Sequence, residues 1–201
     1  MARKTSGRVE TVGKILEVVM KDKAMYEKSS GGLTVSGGDP VFQPKFSIAL
    51  LKEAKKRGLH TAVETCGCTN WEVLREILEH TDFLLFDIKA IDSRAHLEGT
   101  GADNRFIMEN AKNAALMSSL TMRVRVPLIP GYNDSEYSID QIARFITEEI
   151  GLPAESLSLL KYNKYMESKY ERLDRGAQLK RLEPQSDEYF EKLNEIIRRR
   201  I

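Results

Sequence analysis

Phe83-Leu84-Leu85-Phe86-Asp87-Ile88-Lys89 is apolar without a break for its first four residues and turns charged at its end. A run this short and apolar reads as a strand, and it suits a parallel strand covered on both faces. The same kind of segment recurs on either side. His60 to Thr65 precedes it, Leu33 to Ser36 comes earlier and runs into Gly37-Gly38, Met122 to Ile129 follows and ends in Pro130-Gly131, and Leu157 to Leu160 is the last. Helix-period stretches lie between them. One is expected from Pro44, which suits a first helical position, to a stop at Gly58. Thr69-Asn70-Trp71-Glu72 reads as a capping box opening a helix to about Glu79. Asn104 to Met117 carries Ile107, Ala111, Ala114 and Ala115 on one side. Ser138 and Gln141 are expected to cap a helix with Ile139, Ile142, Ala143 and Ile146 at helical spacing, ended by Gly151 and Pro153. A first helix is expected over about Val12 to Tyr26, and a last one, capped by Ser186 or Asp187, carries Phe190, Leu193 and Ile197.

Five strands separated by helices are the pattern of crossovers in a parallel sheet. A closed eight-stranded barrel takes about 250 residues, so 201 residues with five strands predict an α/β fold, an open or partial parallel β/α barrel. The chain begins with a helix, so the first βα unit is expected to lack its strand. Nothing in the sequence marks a linker, and residues 1–201 read as one domain, within the common range of about 100–200 residues.

Composition excludes several classes. The 31 basic and 30 acidic residues leave a net charge of +1, which argues against a general nucleic-acid binder. The basic clusters Lys52 to Arg57 and Arg198 to Arg200 sit at expected helix ends, where they complement the helix dipole. No apolar run approaches the roughly 20 residues of a membrane span, and Met1 to Glu10 has no apolar segment of the signal-peptide kind. Two cysteines, Cys66 and Cys68, make no disulfide framework, and the expectation is a reducing, cytoplasmic setting.

In parallel α/β folds, ligands bind at the carboxyl ends of the strands. Those ends here are Ser36-Gly37-Gly38-Asp39-Pro40, Glu64-Thr65-Cys66-Gly67, Asp87-Ile88-Lys89, Arg125-Val126-Pro127 with Ile129-Pro130-Gly131, and Tyr162-Asn163. Backbone amides at Gly37 and Gly38 could approach a ligand with no side chain in the way. Asp87 and Lys89 are two apart, so on a strand they would share a side and pair with each other. Blander readings stand beside these: Gly37-Gly38 as a plain turn, Asp87 and Lys89 as a structural ion pair, Glu64 as a solvated strand end paired with Arg125. Cys66 and Cys68 read as one packed and one exposed thiol, since a metal centre draws three or four ligands and Cys-Gly-Cys supplies two. His60, His80 and His96 fall at a strand start, a helix end and a loop.

These residues carry a resemblance. Ser30-Gly31-Gly32-Leu33-Thr34-Val35-Ser36-Gly37-Gly38-Asp39-Pro40 resembles the glycine-rich segment of radical S-adenosylmethionine (SAM) enzymes, and within them the glycyl-radical-enzyme activating enzymes of the pyruvate formate-lyase activase type. The likeness continues through His60 to Gly67, Asp87-Ile88-Lys89, His96 with Thr100-Gly101 and Asn104, Pro127 to Asn133, and Leu159 to Asn163. The resemblance implies that Gly37, Gly38 and Asp39 hold the methionyl amine of SAM. It places Thr65, Asp87 and Lys89 beside the sulfonium and carboxylate, and a monovalent cation at Glu64, Thr65 and Asp87. It also sets Arg125 near the ribose and carboxylate, with Pro127 and Asn163 completing the SAM contacts. The implied activity is oxidoreductase chemistry: a [4Fe–4S] cluster cleaves SAM reductively, and the 5′-deoxyadenosyl radical takes a hydrogen from a glycine of a partner glycyl radical enzyme. An electron donor such as flavodoxin or ferredoxin is implied as a second partner.

The departures matter equally. The family's Cys-x3-Cys-x2-Cys cluster motif is not in the sequence, so the chain is expected to be a carboxyl-terminal portion that carries no cluster and is inactive alone. The family's Pro-Tyr-His reads Lys161-Tyr162-Asn163, and Asp39 and Glu64 each exchange one carboxylate for the other. Two further readings stay open at this point: a non-catalytic SAM- or partner-binding module, and a lyase forming a Schiff base on Lys89.

Overall fold

The computed structural model describes residues 7–165 and 181–200. Of the polar opening stretch, Met1 to Ser6 lies outside the described residues. The elements are α1 (Val12–Val19), α2 (Lys23–Ser29), β1 (Gly32–Val35), α3 (Pro44–Lys56), β2 (His60–Thr65), α4 (Trp71–Leu78), β3 (Phe83–Asp87), α5 (Ser93–Thr100), α6 (Arg105–Ala115), β4 (Thr121–Pro127), α7 (Glu136–Arg144), β5 (Leu157–Leu160) and α8 (Asp187–Arg198). The five strands form one all-parallel sheet in the order β1-β2-β3-β4-β5, so the fold is α/β with an open parallel sheet, as expected. Among the described residues no strand pairs with the outer edge of β1.

Strand register decides what each face does. Val63 pairs with Leu84, Leu84 with Met122, Phe86 with Val124, and Val124 with Leu157. All of these are buried and belong to one core cluster with Leu51 of α3, Leu74 and Ile77 of α4, Ile107 of α6, Ile139 and Ile142 of α7, and Leu193 of α8. Each such side chain contributes roughly 1.5–3 kcal/mol by leaving water. The opposite parity, Glu64, Leu85, Asp87, Arg123 and Arg125, lies on the other face. There β3 alternates between half-buried and buried, and β4 exposes Thr121 and Arg123. Phe83 to Ile88 is therefore not covered on both faces, as its apolarity suggested. Helices shield one side, and the other keeps Phe83, Leu85 and Asp87 half-buried and Arg123 exposed. A smaller cluster of Leu16, Leu50, Ala54 and Leu59 seats α1 on α3.

Several boundaries differ from the sequence reading for local reasons. The first helix is two, α1 and α2, separated by a 3-10 turn at Met20–Asp22. The capping box at Thr69 is not made: Asn70 precedes the helix and gives no side-chain cap, while the Thr69 amide bonds the Gly67 carbonyl. α7 starts three residues earlier than its apolar pattern, because the Ser135 hydroxyl accepts from the Ser138 amide, and it runs on into a π-helical turn at Phe145–Glu149. α5 is a helix where the sequence around His96 suggests a loop. Asp92 caps it by accepting from the Ala95 amide at 2.7 Å, and His96 is buried inside it. Ser186 caps α8 as read, accepting from the Tyr189 amide.

At the amino-terminal end of the sheet one carboxylate staples three segments. Asp82 accepts from the Thr61 amide at 2.9 Å and its hydroxyl at 3.0 Å, and pairs with Lys55 of α3 at 2.7 Å. Partial burial opposes its charge, but Lys55 and Thr61 outweigh that and hold the carboxyl below its ordinary value. Stabilisation from Asp82 is then fully present above the unfolded value, near pH 4, and is lost as pH falls through the lower folded value. Asp82→Ala is expected to lower the unfolding free energy by about 1–3 kcal/mol at neutral pH, and by less below about pH 3, in urea melts at both pH values.

Candidate functional site

The carboxyl ends of β2, β3 and β4 bring three charged side chains onto the face of the sheet opposite the helices. Asp87 and Arg125 are direct register partners, and Glu64 opposes Leu85, two residues before Asp87, so the period of two puts all three on one side. One guanidinium nitrogen of Arg125, Nη2, lies 2.6 Å from Glu64 Oε1 and 2.7 Å from Asp87 Oδ1, and Nε donates to the same Asp87 oxygen at 2.8 Å. The Arg125 side chain is 15% exposed, Asp87 19% and Glu64 35%. That gradient separates the two carboxyls. Arg125, aided by Ser36, holds Glu64 below the usual carboxylate range, whereas burial pushes Asp87 up and outweighs the pull of Arg125 and Lys89. Burial opposes the charge on Arg125, but the two carboxylates keep the guanidinium fully protonated.

Asp87 thus pairs with Arg125 and not with Lys89. β3 ends at Asp87, the Ile88 amide continues the ladder onto the Arg125 carbonyl, and Lys89 leaves the strand with its carbonyl held by Asn133. The glycine loop after β1 leaves open space: a Cβ at Gly37 or Gly38 would meet nothing within 4 Å. Gly37 has φ +121°, a conformation that side chains avoid. Asp39 turns the other way. Its carboxylate accepts from Thr65 Oγ1 at 2.7 Å, the Cys66 amide at 3.1 Å and the Val41 amide at 3.2 Å, tying the β1 loop to the end of β2. Thr65 is buried on the helix-covered face, where its hydroxyl also accepts from the Gly67 amide. Pro127 closes β4 and its carbonyl accepts from Asn133. Asn163 is exposed and its Oδ1 accepts from the Tyr165 amide, at the far side of the sheet beyond β5.

Cys66 is half-buried with its thiol 3.4 Å from Asp39 Oδ2, and Cys68 is exposed. Burial pushes the Cys66 thiol up, so it stays protonated near neutrality. One protonated and one exposed thiol do not make a cluster-binding set, and among the described residues no group of three or more His, Cys, Asp or Glu could hold a metal ion.

What the sequence reading missed is how the mouth is made rigid. A buried amide side chain clamps the loop after each of β2, β3, β4 and β5. Asn110 donates to the Gly67 and Thr69 carbonyls after β2, and Asn104 to the Ala90 and Ile91 carbonyls after β3. Asn133 donates to the Lys89 and Pro127 carbonyls and accepts from the Ile129 amide at 2.7 Å, joining the ends of β3 and β4. Gln185 accepts from the Tyr162 amide after β5 and donates to Asp134. Close packing adds to this at Gly67, where φ is +65° and a Cβ would come within 2.5 Å of the Phe86 ring. Asn104 and Asn133 stood in the quoted motifs, but their burial depends on contacts that no local pattern reveals.

A mouth with both signs of charge and open glycine backbone suits a zwitterionic ligand. Residues 2–145 match the radical SAM superfamily, and the chain belongs to that superfamily. It is 43% identical over 174 residues to the isethionate sulfite-lyase activating enzyme of Oleidesulfovibrio alaskensis, covering 86% of this chain and 55% of that protein. It is 38% identical over 187 residues to the (2S)-3-sulfopropanediol sulfolyase activating enzyme of Bilophila wadsworthia, covering 92% of this chain and 60% of that protein. A solved domain of pyruvate-formate lyase-activating enzyme from Bacteroides vulgatus superposes with a TM-score of 0.68 at 28% identity, covering 84% of this chain and 94% of that domain. The chain spans little more than half the length of these curated relatives.

Asn133→Ala leaves two carbonyls and the Ile129 amide without a partner. It is expected to lower the unfolding free energy by about 1–3 kcal/mol and to speed amide exchange at Ile129 in hydrogen-exchange measurements.

Proposed function

We propose that this chain is the SAM-binding portion of a glycyl-radical-enzyme activating enzyme, with residues 1–201 forming one partial-barrel domain. The observation that carries the reading is the strand-end mouth. Glu64, Asp87, Arg125 and Lys89 place both signs of charge beside the open backbone of Gly37 and Gly38, in a chain 43% identical to an activating enzyme. The geometry supports a role for the glycine amides at the methionyl end of SAM and for Lys89 and Arg125 at its carboxylate. Asp39 and Thr65 support that loop by holding it on β2, and Pro127 and Asn163 border the same end of the sheet. A [4Fe–4S] cluster, when bound, would supply the one electron that splits SAM into methionine and a 5′-deoxyadenosyl radical, and a glycine of the partner would lose a hydrogen atom to that radical, giving 5′-deoxyadenosine and a glycyl radical.

Cys66 and Cys68 do not fit such a cluster, so no step is assigned to them. A groove of about 830 Å³ along the outer edge of β1, bordered by Leu33, Val35, Ser36, Phe42 and Phe46, suits an added strand. We assign it to a strand of a cluster-bearing segment, for which the relative has the length, since the match covers 55% of it. The partner is a lyase of the glycyl-radical kind, and a small electron-transfer protein such as flavodoxin or ferredoxin supplies the electron. The expected setting is the cytoplasm; among the described residues no helix is long and apolar enough to cross a membrane.

The test uses the polypeptide that carries this chain together with a cluster-bearing segment, loaded and kept anaerobic. Given a reductant, it should convert SAM to 5′-deoxyadenosine and give a glycyl-radical signal in the partner. Lys89→Ala should weaken SAM binding about 10- to 100-fold by calorimetry, the worth of one charged hydrogen bond. A loaded, folded enzyme that forms no 5′-deoxyadenosine would overturn the reading.

A further inference from the structure

The monovalent-cation site implied at Glu64, Thr65 and Asp87 does not fit the geometry. Thr65 lies on the helix-covered face of β2, one residue out of phase with Glu64, so its hydroxyl and the two carboxylates point to opposite sides of the sheet. That hydroxyl is already occupied, donating to Asp39 and accepting from the Gly67 amide. The two carboxylates that do converge meet on a single nitrogen of Arg125, at 2.6 and 2.7 Å. An alkali ion placed between them would have to share that space with a guanidinium, which stays charged at any pH of interest.

We propose that Arg125 is the resident cation of this site: its guanidinium bridges Glu64 and Asp87 where an alkali ion would otherwise sit, so the site takes no monovalent ion. Three observations support it. The bridge spans three consecutive strands, with Arg125 and Asp87 as direct register partners, so it is set by the sheet and not by a mobile loop. Its members are 15%, 19% and 35% exposed, so the pair of carboxylates is partly withdrawn from water and needs a positive charge between them. Lys89, beyond the end of β3, makes no ion pair among the described residues, which leaves it, and not a metal, as the second positive group facing a ligand carboxylate. The inference rests on this geometry and does not depend on the activating-enzyme reading.

The test needs no substrate. The chain and its Arg125→Gln variant are melted in potassium chloride, sodium chloride and tetramethylammonium chloride at equal ionic strength, the bulky ion serving as one that cannot enter the site. The unaltered chain should melt at the same temperature in all three salts. Arg125→Gln exposes two facing carboxylates to solvent ions. Potassium or sodium should then raise its melting temperature by roughly 3–6 °C over tetramethylammonium, once the ion is about ten-fold above its dissociation constant. Adding Glu64→Gln to that variant should remove the response. Should Arg125→Gln fail to fold, Arg125→Lys decides: an ammonium in the same place should leave melting insensitive to the choice of salt. An ion-specific rise in the unaltered chain would show that an ion binds beside Arg125 and would overturn the proposal. So would a folded Arg125→Gln that ignores the ions, or an Arg125→Lys chain stabilised by potassium.

Discussion

One guanidinium decides what the open face of this sheet can be. Arg125 sits on β4, yet its nitrogens reach the carboxylates of β2 and β3, so three neighbouring strand ends are held in one electrostatic unit. A face that a helix would otherwise cover can stay open because its charges are partnered within the sheet. A half-buried pair of this kind gives little net stability, and removing one partner costs far more than the pair contributes. The arrangement therefore makes best sense as a preorganised surface for a ligand that itself carries both signs.

Around that unit the fold supplies rigidity with unusual uniformity. The loop after each of β2, β3, β4 and β5 is gripped by a buried amide side chain: Asn110, Asn104, Asn133 and Gln185 respectively. Amides suit this task because each offers donor and acceptor without charge, so backbone carbonyls are satisfied at no cost in buried charge. The opposite end of the sheet uses a carboxylate, Asp82, to the same end. Function at one end and anchoring at the other follow from a parallel sheet, in which all strands present the same polarity.

How much of this the sequence disclosed depends on the range of each interaction. His60 to Thr65 and Leu157 to Leu160 are strands with the bounds their residues suggested, and the parallel α/β order followed from the alternation. The proline start of α3 and the Ser186 cap are local and were legible. α5 was missed because its cap, Asp92, and its buried His96 carry no apolar periodicity, and α7 was started late because Ser138 mimics the capping residue that is really Ser135. Of the strand-end residues, Glu64, Asp87 and Arg125 meet on one face, whereas Asp39 and Thr65 turn to the helix-covered side and Asn163 lies beyond β5. The pairing on that face was not legible: adjacency suggested Asp87 with Lys89, whereas register across β3 and β4 joins Asp87 to Arg125. The burial of Phe83 to Ile88 was overestimated for a related reason, since composition cannot tell which face helices will cover.

The account turns on whether the Arg125 unit is where SAM is met. Nitrogen-15 NMR of the Arg125 side chain, in the cluster-bearing polypeptide kept diamagnetic and titrated with SAM, asks this directly. In the free protein the Nε–H should give a resolved, slowly exchanging signal, since it is hydrogen-bonded to Asp87 and largely shielded from water. With SAM that signal and the amides of Gly37 and Gly38 should shift together at one dissociation constant. SAM that binds while leaving the Arg125 signal unmoved would contradict the account.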